Sequence, residues 1–306
     1  MVKLTVTFLG TSSAAPSRSR GLPAIAVQRE SDLIIMDCGE GIQRQLLGLG
    51  LGLNRDTLIL ITHLHGDHVT GLLGLLQTMS LAQRKKELTV VAPPALLEWL
   101  EHTSHLLHIG LTFGIRFVPA RSGTVITNSR FDVRAARAEH SVEAFCYLVR
   151  ERARPGIFFP ERARKLGIPE GKLWSRLQKG GRVKLEGRVI EPRQVMGPSR
   201  PGRAIGYSGD TRPSKRLARF FRGADLLIFD STFANKDSAK ALERKHCTSS
   251  EAARVAKEAG VKKLVLTHFS ARYKSVSVLV REARSVFPST IAAADGLRLD
   301  VDYPEG

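Results

Sequence analysis

The 306-residue chain reads as an α/β protein. Short apolar runs of strand length alternate with longer, helix-patterned stretches, and glycines follow the apolar runs. Hydrophobic residues make up 42% of the chain, enough for a full core, with no internal repeat or low-complexity run. Residues 4–9 alternate, placing Leu4, Val6 and Phe8 on one face, and so begin a strand rather than a signal peptide. Apolar runs predict further strands at 24–28, 33–37, 58–62 and 88–91. Between them, helical patterning covers 41–47, 69–82 and 95–107. Strands are then expected at 131–136, 145–150, 203–208, 226–230 and 264–267, with helices at 216–222, 249–259 and 275–286. Ser249-Ser250-Glu251 supplies an N-cap and an early acid for the helix at 249–259, and Gly260 stops it.

Residues 152–202 break this pattern. They hold Pro155, Pro160, Pro169, Pro192, Pro198 and Pro201 with many glycines and only short apolar runs. They also concentrate charge. The whole chain carries 47 Lys and Arg against 29 Asp and Glu, a net +18. Between Arg150 and Arg203 stand fifteen Lys and Arg and five Asp and Glu, so ten of the eighteen net charges lie in about a sixth of the chain. A surface enriched only for solubility would spread its excess, so the segment predicts a polyanionic partner such as a nucleic acid. Cys38, Cys146 and Cys247 share no ligand spacing and leave an odd one out, which suits a reducing cytoplasm. No stretch approaches the ~20 uninterrupted apolar residues of a membrane span.

The chemistry is concentrated at Thr62-His63-Leu64-His65-Gly66-Asp67-His68, directly after the apolar run Leu58-Ile59-Leu60-Ile61. Imidazole nitrogen and carboxylate oxygen are the donors that zinc and its neighbours prefer, and four of them here fall within six residues. Three more donors close apolar or small-residue runs: His140, Asp210 and His268. Such endings are expected where parallel elements converge on a sheet edge. His102, His105 and His108 also recur at helical spacing, but no carboxylate completes a set, and they read as surface or interface residues.

This order of motifs resembles the metallo-β-lactamase superfamily of dinuclear hydrolases, and within it the ribonuclease Z family, endonucleases that trim the 3′ trailer of precursor tRNA. The motifs that carry the resemblance run nearly end to end: Phe8-Leu9-Gly10-Thr11, Asp37-Cys38-Gly39-Glu40-Gly41, Thr62 to His68, and Glu139-His140. Beyond them stand Ser208-Gly209-Asp210-Thr211-Arg212, His246-x-Thr248, and Thr267-His268-x-Ser270-x-Arg272-Tyr273. The resemblance implies a four-layer αβ/βα sandwich spanning 1–306, with 152–202 as an inserted, protruding arm that grips tRNA. It implies a cytoplasmic homodimer and two Zn2+ per subunit, with Mn2+ as the alternative. His63, His65 and His140 would hold one metal and Asp67, His68 and His268 the other, with Asp210 bridging.

Metals matter here because water, with a pKa near ~15.7, is a poor nucleophile until a cation lowers that value. By resemblance, Asp67 is also the general base. His246 is the acid for the leaving 3′ oxygen, steadied by Asp230, since an imidazole beside a carboxylate can be charged and donating near neutrality. Asp37 is expected to orient a ligand rather than bind metal. Four departures stand out: Phe229-Asp230-Ser231-Thr232 replaces the family's His-Glu-Ala-Thr, Glu170-Gly171 replaces Gly-Pro in the arm, and Arg18 and Gly21 replace lysine and asparagine in the loop that handles the acceptor end. RNA contacts are expected from Arg18 and Arg20 in that loop, and from Arg162, Arg164, Lys165, Lys172, Arg176 and Lys179 in the arm. Two other functions fit parts of the pattern: a small-molecule phosphodiesterase or arylsulfatase-like hydrolase of the same superfamily, and a metal-stabilised RNA-binding protein without turnover.

Overall fold

The structure is a computed structural model that describes residues 2–303. They divide into two compact units, one of residues 2–150 and 204–302, the other of residues 151–203 with Tyr303. The chain runs β1 (Leu4–Gly10), β2 (Ser12–Ser13), β3 (Ala24–Arg29), β4 (Asp32–Met36), α1 (Ile42–Gly48), β5 (Asp56–Leu60), α2 (Gly66–Val69), α3 (Gly71–Leu81), β6 (Leu88–Ala92), α4 (Ala95–Leu106), β7 (Ile115–Pro119), β8 (Gly123–Thr127), β9 (Phe131–Arg137) and β10 (Phe145–Glu151). There follow α5 (Pro160–Lys165), α6 (Lys172–Gln178), β11 (Val183–Leu185), β12 (Arg188–Ile190), β13 (Ala204–Tyr207), α7 (Lys215–Phe220), β14 (Leu226–Asp230), α8 (Ser238–Glu243), α9 (Ser249–Ala259), β15 (Lys263–Thr267), β16 (Phe269–Ser270), α10 (Ser277–Arg284), β17 (Thr290–Ala292) and β18 (Arg298–Asp300).

In the larger unit, the described residues form two seven-stranded sheets, ordered β18-β1-β3-β4-β5-β6-β7 and β17-β15-β14-β13-β10-β9-β8. Period-two alternation explains why they stack. On the first sheet, Val6, Ile25, Val27, Ile34, Met36, Leu58 and Leu60 join Phe145, Tyr147, Val149, Ile205 and Tyr207 of the second sheet in one core. The intervening Ala24, Ala26, Leu33, Ile35, Ile59 and Ile61 face the other way, against Leu46 of α1, Leu72 and Leu75 of α3, and Leu96 of α4. Strands buried on both faces read as continuous apolar runs, which is why Leu58-Ile59-Leu60-Ile61 was legible. Helices α7, α9 and α10 cover the far face of the second sheet. The result is the expected αβ/βα sandwich.

Within the two seven-stranded sheets, parallel pairing is confined to β4-β5-β6-β7 and β13-β14-β15-β17. Their C-terminal ends supply Asp37 after β4, Thr62 after β5, Ser208 after β13, Asp230 on β14 and His268 after β15. Ligand sites in open α/β sheets gather at such ends.

Several elements differ from expectation. The helix foreseen at 69–82 is α3, Gly71–Leu81, and the single turn α2, Gly66–Val69, precedes it. At its start α3 packs tightly on the turn after β4: a Cβ on Gly71 would sit 2.0 Å from the Gly39 carbonyl oxygen. The N-cap of α9 is Thr248 rather than Ser249, its hydroxyl accepting from Glu251 N while Glu251 reaches back to Thr248 N. Gly260 ends α9 in the left-handed region, as expected. Strands β7, β8, β17 and β18 were not foreseen; β7, β17 and β18 are short edge strands whose half-exposed pattern carries little periodic signal.

The smaller unit has its own core. Ala163 of α5, Ile168, Leu177 of α6, Val183 of β11, Ile190 of β12 and Val195 are buried together, with Trp174 donating to the Ile168 carbonyl at 2.9 Å. Pro160 opens α5, where its missing N–H costs nothing. Glu151 and Arg203, both buried, pair at 2.7 Å, and the guanidinium groups of Arg203 and Arg154 lie 3.9 and 3.5 Å from the Tyr303 ring centre.

Candidate metal centre

All seven predicted donors meet at the strand ends of the larger unit. His63, His65, His140 and Asp210 offer donor atoms that lie within 4.8 Å of one another, as do Asp67, His68 and His268. Asp210 belongs with both groups. Its Oδ2 lies 3.6 Å from His63 Nε2 and 3.4 Å from His68 Nε2, and its Oδ1 lies 3.3 Å from His268 Nε2.

The surroundings decide which nitrogen of each ring points inward. Asp37 Oδ2 lies 2.8 Å from His68 Nδ1 and 2.9 Å from Thr62 Oγ1. A hydroxyl can only donate to a carboxylate, so Thr62 Oγ1 accepts from His63 Nδ1, 3.0 Å away. Asp230 repeats the arrangement. Its Oδ1 takes the Thr232 hydroxyl at 2.7 Å, which accepts from His268 Nδ1 at 2.8 Å. His140 Nδ1 donates to the Lys245 carbonyl at 3.1 Å. Four Nε2 lone pairs therefore face the centre.

They crowd there: His68 Nε2 stands 3.3 Å from His268 Nε2, and His65 Nδ1 is 3.1 Å from His63 Nε2 and 3.2 Å from His140 Nε2. Asp210 Oδ1 is buried with no hydrogen-bond donor. Convergent lone pairs plus an unsatisfied buried carboxylate oxygen fit cations, and the histidine-rich donor set suits zinc.

Charge and burial act in opposition across the donors: burial would lower His68, but Asp210 and then Asp37 hold it well above its ordinary range. Burial pushes His63 well below its ordinary range, keeping it neutral and able to ligate. Burial opposes ionisation of Asp210, yet the His268 and His68 imidazoles hold its carboxyl well below the usual range. Asp67 is likewise held below the usual carboxylate range: burial works against its charge, and the His268 and His68 imidazoles beside it outweigh that. Its Oδ2 also accepts from Ala14 N at 2.8 Å. Asp37 and His268 adopt φ of 60° and 62°, left-handed values unusual for these residues, which concentrate at functional sites. Gly209, at φ 54°, lies so close to Thr62 that a Cβ would come within 2.8 Å of its side chain.

Beside the centre, His246 stacks on His268 with ring centres 5.2 Å apart. Asp230 reaches it despite the shorter side chain, Oδ2 to Nδ1 being 2.9 Å. Burial alone would lower the His246 pKa, but Asp230 and then Asp210 raise it to about 9. Asp230, His246, Asp210 and His268 also form a ligand-like group. Asp230 is otherwise engaged there, by Thr211 N, Thr232 N, the Thr232 hydroxyl and His246.

The predicted RNA contacts fare unevenly. Arg18 is exposed. Arg20 is half-buried, donating to the Ala293 carbonyl at 3.0 Å and lying 4.7 Å over the Phe269 ring, so it braces the loop rather than standing free. Arg164 pairs with Glu170 at 2.7 Å and Arg162 lies over Phe159. Lys165 is exposed. Lys172, Arg176 and Lys179 line a groove of about 670 Å³ along α6. His102, His105 and His108 are exposed and belong to no ligand group among the described residues. Sequence reasoning missed Tyr207, whose hydroxyl donates to Asp37 at 2.8 Å, and Arg212, which holds the His246 carbonyl. Tyr207 carries no spacing signal, whereas Arg212 closes the quoted motif Ser208-Gly209-Asp210-Thr211-Arg212 with no role assigned to it.

A sandwich of two mixed sheets with histidines and aspartates gathered at the strand ends defines a metallo-β-lactamase-fold hydrolase. A sequence profile for the beta-lactamase superfamily domain matches residues 193–269, and one described as Anti-Pycsar protein Apyc1 matches residues 4–114. A ribonuclease Z of Nitrosopumilus maritimus is 43% identical over 298 residues, 97% of this chain and 100% of its own. That of Archaeoglobus fulgidus is 44% identical over 303 residues, 98% of each chain. The crystal structure of human short-form tRNase Z superposes with a TM-score of 0.69 at 28% identity, covering 97% of this chain and 99% of its own. The chain belongs to the ribonuclease Z family. Metal dependence goes with that family and with the clusters described above.

Proposed function

We propose that this chain is an endoribonuclease that removes the 3′ trailer from precursor tRNA, leaving a 3′-hydroxyl on the tRNA. The observation that carries the reading is the ring of inward lone pairs, each fixed by an outer partner, beside a carboxylate–histidine pair at 2.9 Å. His63, His65 and His140 would hold one metal ion and Asp67, His68 and His268 a second, with Asp210 able to serve both; the donor set suits zinc, and manganese is the alternative. When bound, the metals supply Lewis acidity toward water and the scissile phosphate. Asp67 orients the attacking water and takes its proton. As the phosphorus–O3′ bond breaks, His246, its Nδ1 held by Asp230, donates from Nε2 to the departing 3′ oxygen. A raised pKa keeps that proton in place at neutral pH.

Residues 152–202 form the tRNA-binding arm, with the row of Lys172, Arg176 and Lys179 as the phosphate contact. The enzyme works as a cytoplasmic homodimer, a reading supported by three reduced, buried cysteines and by Leu47, Leu81, Leu106 and Leu107, exposed on the helices over the first sheet. Among the described residues no helix is long and apolar enough to cross a membrane. The small-molecule hydrolase reading is not favoured, because the full-length relatives cited are ribonucleases Z. Incubation with a trailer-bearing precursor tRNA, with and without a chelator, tests the proposal. Cleavage at the trailer junction with a new 3′-hydroxyl, abolished by chelation and restored by zinc, is expected. Intact precursor in both arms sinks it.

A further inference from the structure

The side chain of His246 is held by Asp230 and its backbone N–H by the Ala241 carbonyl at 2.9 Å, but its own carbonyl is held by a group the reaction does not otherwise use. Arg212 is nearly buried, and its Nη1 donates to the His246 carbonyl. Nη1 and Nη2 also donate to Glu251, at 3.0 Å to Oε2 and 2.6 Å to Oε1. The same Glu251 Oε2 takes Thr248 N at 2.9 Å, closing the first turn of α9. At its own backbone, Arg212 N donates to the Glu139 carbonyl at 2.9 Å, one residue before His140. A planar guanidinium can span a carboxylate and a carbonyl together; an ammonium cannot do so with fixed geometry.

The tether has work to do. Just ahead of His246, Lys245 sits at φ 55°, a left-handed conformation disfavoured for lysine. The start of α9 does not need Arg212, since Thr248 and Glu251 cap it reciprocally. What the guanidinium adds is a fixed distance between that cap and the His246 backbone. We infer that Arg212, through Glu251, is a positioning residue for the leaving-group step, setting where His246 delivers its proton without itself touching RNA. The inference rests on His246 being the acid.

The test uses the full-length enzyme and two substrates. Precursor tRNA loses a ribose 3′ oxygen that needs a proton; bis(p-nitrophenyl) phosphate loses a nitrophenolate that does not. In Arg212→Gln, kcat on precursor tRNA should fall by about 10²-fold with KM held, the scale of a misplacement near 1 Å. Hydrolysis of the nitrophenyl ester should stay within about twofold, with metal content unchanged by elemental analysis. Glu251→Gln, which keeps an acceptor for the helix cap, should show the same split, and added guanidinium should restore Arg212→Ala in part. Equal losses on both substrates, loss of metal, or no loss on either would overturn the inference. His246→Ala separates it from its premise: if that variant cuts precursor tRNA normally, the acid assignment itself fails. If His246→Ala shows the split and Arg212→Gln does not, only the role of Arg212 falls.

Discussion

At the scale of single residues, two carboxylates do more than their position in the chain suggests. Asp37 orients His68 directly and His63 through the Thr62 hydroxyl, while Asp230 orients His246 directly and His268 through Thr232. Asp37→Asn, which cannot accept all four donors, should weaken metal binding by about 10–100-fold, read by titrating the apo-enzyme with zinc. Unchanged affinity would remove Asp37 from the support of the centre. Asp230 bears on pH. His246 carries its proton below about 9, so a step that needs the charged ring should slow as pH rises through that value. Asp230→Asn removes the larger attraction holding the proton, and the alkaline limb of the rate profile should move to lower pH by about 1–3 units. An alkaline limb that stays put would assign it to another group.

At the scale of elements, the site depends on close approach as much as on donors. The turn after β4 and the start of α3 touch through Gly39 and Gly71, with no room for a side chain. Gly71→Ala should cost about 1–3 kcal/mol by urea denaturation, because the Gly39 carbonyl must move. The cap of α9 is a gentler probe: Thr248→Ala should cost about 1 kcal/mol. Element reading from sequence succeeded where burial was two-sided, as in β5 and β15, and failed where it was partial. Strand β18, only half-buried, has Arg298-Leu299-Asp300, a triplet no periodicity can distinguish from loop.

At the scale of the whole molecule, charge and catalysis are divided between two units. The smaller has a separate hydrophobic core, and α6 carries Lys172, Arg176 and Lys179 at a spacing that keeps them in one groove. Reversing these three to Glu should raise KM for precursor tRNA and flatten its dependence on salt. The slope of log affinity against log salt should fall by about 2–3 for three lost phosphate contacts. Hydrolysis of bis(p-nitrophenyl) phosphate should be untouched. A matching loss on the small ester would instead show damage to the larger unit.

The sequence alone determined the α/β class, the strands buried on both faces, the basic segment at 152–202 and all seven donors, because apolar periodicity and ligand spacing are local properties of the chain. Only the tertiary structure decided that Asp230 spans to His246, that Arg20 donates to the Ala293 carbonyl and lies over Phe269, and that Tyr207 and Arg212 brace the centre. Those facts depend on distances of a few ångströms between residues up to 273 positions apart. No local pattern encodes such distances; the packing of two sheets does.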